Sequence, residues 1–191
     1  MKQARLYAGA VLALAAFAAS AQEAAHPPPA RATPVDPAVS ANPLLGAWRL
    51  VSIETIRPNG SIIYPFYGRH PEGLIVYDAS GWMSVQIASD PKPVLPKGDS
   101  RGEFLKAPPS QKAAAADAYY AYYGPYTLDV AKSTVTHHLR DALLPGERGK
   151  DFLRQYSIDN GRLTLVARMH ELGEDHVRRL VWQKLAPPEA H

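Results

Sequence analysis

Short runs of branched and aromatic residues, each ended by a tight-turn signal, recur from Trp48 to Leu185 and constrain the fold more than any other feature. Residues 44–56 open the series with Gly46-Ala47-Trp48 followed by a branched run. Asn59-Gly60 then turns the chain, because both residue types tolerate positive φ. The expected hairpin pairs 48–56 with 61–66, with Pro65 at a strand end because it lacks a donor. A second pair, 73–78 and 82–88, turns at Ala79-Ser80-Gly81. Alternation there puts Met83, Val85 and Ile87 on one face and Trp82, Ser84 and Gln86 on the other. A barrel holding a polar ligand need not keep its greasier face inside, so the inward face stays open. Segments 126–130 and 134–140, then 152–158 and 163–169 across Asp159-Asn160-Gly161, continue the pattern, and 178–185 is the last strand. The expectation is all-β: eight main strands in an up-and-down antiparallel barrel, closed so that no edge is exposed, with one short helix. Such a barrel has room for one small ligand.

What precedes this series has a different character. Lys2 and Arg5, an Ala/Leu-rich run over 6–19 and Ala19-Ser20-Ala21 read as a secretory signal over 1–21, cleaved after Ala21. The mature chain is expected to be secreted to the periplasm, with no membrane span. Residues 22–43 carry six prolines among Ala, Ser and Thr and read as an extended linker. The folded domain is expected over 44–185, with a tail at 186–191. There is no cysteine, which excludes disulfides, a thiol nucleophile and thiolate metal ligands. Loss of the leader leaves 19 basic against 18 acidic residues, so the basic isoelectric point gives no case for nucleic acid.

Residues 89–109 form a proline-rich excursion, of a length that usually marks a lid or binding loop. The helix is expected next: Ser110 as cap, an Ala-rich stretch over 111–118, four tyrosines at 119, 120, 122 and 123, and Gly124-Pro125 as the stop. On such a helix Tyr119 shares a face with Tyr122, and Tyr120 with Tyr123. Their natural place is the barrel mouth.

His137-His138 is the most chemical-looking pair. Neighbouring strand residues face opposite ways, so only one can enter the cavity, and both cannot bind one metal. No metal-ligand spacing is present and no cofactor is expected. A cavity histidine would act as a general base, hydrogen-bond a ligand, or be held by a barrel neighbour. The candidate ligand-binding set is Tyr64, Tyr77, Gln86, Tyr119, Tyr122, Tyr126, His137 and Arg154. Tyrosines supply apolar area with one hydroxyl each, and an inward Arg154 would recognise an anion. There is no nucleophile elbow and no phosphate-cradling loop.

Several of these blocks resemble the bacterial and fungal lipocalin-like domain family. They are Leu45-Gly46-Ala47-Trp48-Arg49-Leu50-Val51-Ser52, Tyr64-Pro65-Phe66, Gly73-Leu74-Ile75-Val76-Tyr77, Gly81-Trp82-Met83-Ser84-Val85-Gln86, Tyr122-Tyr123-Gly124-Pro125-Tyr126, Val135-Thr136-His137-His138 and Leu180-Val181-Trp182. The resemblance implies a calycin-type barrel that binds small molecules, with catalysis in some biosynthetic settings. It further implies that Trp48 plugs the closed end under a late-strand arginine, Arg178 or Arg179, in a cation–π contact. Three functions follow in order. The first is a secreted binding protein for a small hydrophobic or amphipathic ligand, lidded by residues 89–123. The second is a barrel isomerase, cyclase or hydrolase using His137 or His138 with a tyrosine. The third is a solid barrel with a structural or envelope-stress role.

Overall fold

Alternating apolar residues make strands when one face can be buried, and here closure buries that face all round. The computed structural model describes residues 42–64, 67–93, 100–171 and 173–186. The expected signal, most of the linker, Pro65-Phe66 and the tail beyond Ala186 lie outside these residues. The strands are β1 (Gly46–Ile56), β2 (Ile62–Ile63), β3 (Glu72–Tyr77), β4 (Trp82–Ala88), β5 (Tyr119–Asp129), β6 (Thr134–His138), β7 (Asp141–Ala142), β8 (Asp151–Asp159), β9 (Arg162–Glu171) and β10 (Glu174–Lys184). Eight of them close an antiparallel barrel in the order β1-β3-β4-β5-β6-β8-β9-β10, and β10 returns to β1. Closure runs from Trp48 opposite Lys184 to Ile56 opposite Val177. A bulge between Leu50 and Ser52 changes the parity of β1, so Leu50 and Ile53 both point inward.

Three expectations on the elements need correction. The return arm after Asn59-Gly60 is only β2, two exposed residues, because β1 instead pairs with β3 over Gly46–Arg49 and with β10 along its length. The four tyrosines are not helical. The helix α2 (Pro109–Asp117) stops before them, and Tyr119 to Pro125 pair with β4 from Ala88 back to Trp82. Aromatic side chains lose freedom on a helix and pack well on a sheet, and seven cross-strand pairs here decide the outcome. Gly124-Pro125 therefore stops nothing. Gly124 is a close approach: a Cβ there would stand 1.9 Å from the carbonyl oxygen of His138.

A second helix, α1 (Arg101–Lys106), precedes α2 in the insertion between β4 and β5. Its signal was in the chain: Ser100 and Glu103 form a reciprocal capping box.

The inner faces carry Trp48, Leu50, Ile75, Met83, Val85, Ile87, Leu163, Leu165 and Trp182, all buried. The Asp159-Asn160-Gly161 turn behaves as the sequence requires, with φ of 48° at Asn160 and 72° at Gly161. Trp48 is capped by a cation, but not by an arginine. Lys184, its cross-strand partner, holds Nζ 4.2 Å from the ring centroid, and the indole N–H donates to Leu44 O at 2.7 Å. Arg179 faces away and pairs with Glu54 at 2.6 Å. Arg178, one residue earlier, faces the interior.

Candidate functional site

The interior is not filled. A cavity of about 300 Å³ lies among Ile53, Ile75, Val85, Ile87, Leu165 and Leu180. The end of α2 and the start of β5 border it through Ala116, Asp117 and Tyr119. That places part of the expected lid segment against the cavity, although its tyrosines arrive on a strand. On β5 the period of two turns Tyr120 and Tyr122 inward and leaves Tyr123 exposed.

β6 brings His137 to the centre of a polar group. It is fully buried, with Nε2 2.8 Å from the Tyr77 hydroxyl and Nδ1 2.9 Å from the Tyr122 hydroxyl. Burial, then the nearby Arg154 guanidinium and His138, push its pKa down to about 3. The ring is therefore neutral at physiological pH. Burial also pushes Tyr122 up to about 12 and Tyr77 well above its ordinary range. These three groups form a neutral, hydrogen-bonded unit.

On β8, Phe152 and Arg154 face the cavity. The Arg154 guanidinium stacks over Phe152 with 5.0 Å to the ring centroid, and Nη1 donates to Leu153 O at 3.1 Å. No carboxylate among the described residues forms an ion pair with it. Glu147, on the short 3₁₀ turn Pro145–Glu147, also lines the cavity and accepts from the Tyr120 hydroxyl at 2.7 Å. Trp182 lines it too, with a buried indole N–H that has no acceptor among the described residues.

Of the candidate residues, the structure gathers Tyr119, Tyr122 and Arg154 on the cavity and sets Tyr77 and His137 directly behind Tyr122. The others lie elsewhere. Tyr64 is exposed beneath Arg69 at 4.7 Å, and Gln86 borders an outer groove with Tyr123. Tyr126 accepts from Asn42 and donates to Asp78 O. His138 stands on the outer wall, opposite in facing to His137. Its Nδ1 is 2.7 Å from Asp151 Oδ1 and its Nε2 is 3.0 Å from Thr127 Oγ1. That hydroxyl–imidazole–carboxylate order lies open to solvent, away from the cavity. Glu147 was not foreseen, since nothing in its loop's local pattern aims a carboxylate inward. Among the described residues no three metal-ligating groups converge, and no helix is long and apolar enough to cross a membrane.

A closed eight-stranded antiparallel barrel around an apolar cavity with a few buried polar groups defines a calycin-type barrel. Residues 45–185 match the family model described as the lipocalin-like domain, and the chain belongs to that family. No curated protein matches it.

Proposed function

We propose that this is an exported, periplasmic lipocalin-like binding protein that holds a small hydrophobic or amphipathic molecule in its barrel. The observation that carries this is the cavity inside the barrel, about 300 Å³, walled by branched residues and bearing a few buried polar groups. Ligand sites have that composition, and this volume stands at their small end. The cavity weighs against a barrel packed solid. The enzyme alternative needs a base, and a histidine whose pKa is about 3 takes a proton poorly near neutral pH. Export rests on the signal pattern at residues 1–21; N-terminal sequencing of the protein from the periplasmic fraction is expected to begin at Gln22, and an uncleaved leader there would contradict it.

A cavity-filling variant tests the binding. Calorimetric titration of the mature protein with decanol is expected to saturate near one molecule per chain. Val85→Phe, which adds an aromatic ring to the cavity wall, is expected to abolish binding while circular dichroism stays unchanged. Undiminished binding in that variant would move the ligand out of the barrel, and absence of binding in the native chain would remove the proposal's basis.

A further inference from the structure

We infer that the cavity is built for an amphipath with a carboxylate head, which Arg154 and the Tyr122 hydroxyl receive together. The inference rests on the binding function proposed above and specifies its ligand.

The first support is the direction of the hydrogen bonds at His137. A neutral imidazole has one N–H and one bare nitrogen, so of its two tyrosine partners one donates and one accepts. Tyr77 is 1 % exposed, and the sole partner of its hydroxyl among the described residues is His137 Nε2. Tyr77 must donate there, because otherwise its own hydrogen is buried unpaired at a cost. The ring hydrogen of His137 then sits on Nδ1 and goes to the Tyr122 oxygen. That leaves the hydroxyl hydrogen of Tyr122 over, on a residue that borders the cavity. The buried Tyr77–His137 pair thus converts Tyr122 into a committed donor.

Arg154 is the second support. It borders the same cavity, its field acts on Tyr122 and His137, and no carboxylate among the described residues forms an ion pair with it. A guanidinium stacked on an apolar ring and short of an anion is a receptor for one. The third is Trp182, fully buried, whose indole N–H has no acceptor. Such an orphan in a native interior asks for an explanation, and a ligand rich in acceptors supplies it. Three donors thus await acceptors, while the acid within the barrel, Glu147, is already occupied by Tyr120. Asp117 also borders the cavity, and Arg178 on its wall is already engaged, donating to Thr55 Oγ1 at 3.4 Å.

Calorimetry with decanoate, decanol and decylamine tests this, because the three share one tail and differ in the head. Decanoate is expected to bind about tenfold or more tighter than decanol near neutral pH, as a charge-assisted hydrogen bond allows. Arg154→Met is expected to erase that preference and keep decanol binding, which also shows the variant is folded. Tyr122→Phe is expected to reduce the preference in part. Equal affinity for decanoate and decanol in the native protein overturns the carboxylate inference and leaves the container intact. Tighter binding of decylamine overturns it in favour of Glu147 as the head group's partner. No binding of any of the three overturns the container and the inference together.

Discussion

At the scale of single residues, the two adjacent histidines show how one step along a strand separates chemistry. His137 is inside, neutral and held by two phenols; His138 is outside, against Asp151 and Thr127. The inner histidine titrates with its pKa depressed, so the unfolded chain binds the extra proton first as pH falls. Its contribution to stability is complete above the ordinary histidine value of about 6.5 and is lost as pH falls toward about 3. Denaturant midpoints measured from about pH 7 to about pH 4 should fall, and His137→Gln should flatten that slope over the same range. Tyr77→Phe removes the donor to Nε2 and strands a buried acceptor, so chemical denaturation should show a loss of about 1–3 kcal/mol. Lys184→Met keeps the chain's bulk but removes the cation over Trp48, and should cost about 0.5–1 kcal/mol.

At the scale of elements, the insertion and β5 are where local pattern and tertiary pairing disagree. The Ala-rich stretch does form a helix, but the tyrosines after it join the sheet because β4 offers them a continuous partner. Long-range pairing of that kind leaves no mark within a short window of sequence. The Asn160-Gly161 turn and the alternation of β4 were legible; α1 was not foreseen, because residues 89–109 read as a proline-rich excursion, although Ser100 and Glu103 carry the capping-box spacing. The cation over Trp48 was legible as a type of contact but not as a residue, since the register of β10 against β1 decides that Lys184 and not Arg178 lies opposite. Arg154 was readable as an anion receptor once its facing is known; Glu147 was not readable at all. Gly124 carries an element-level prediction. Its backbone passes so close to His138 that Gly124→Ala forces the strands apart. Overpacking of this kind costs roughly 1–3 kcal/mol, measurable as a lower midpoint of unfolding.

At the scale of the whole molecule, the barrel solves two problems at once. Closure of β10 on β1 pairs the barrel strands all round, so stability comes from the wall and the plug around Trp48. The centre is thereby free to stay open, and a ligand filling it would offset the cost of that opening. A ligand at a hundred times its dissociation constant stabilises the folded state by about 2.7 kcal/mol. The proposed binding function requires the cavity to be occupied in its natural setting. Native mass spectrometry of the protein, isolated gently from its own cells, tests this directly. The expected result is a reproducible excess mass of one small molecule per chain, which denaturation releases as an organic acid with an apolar body. A clean apo mass that persists after incubation with an extract of the same cells would contradict the container.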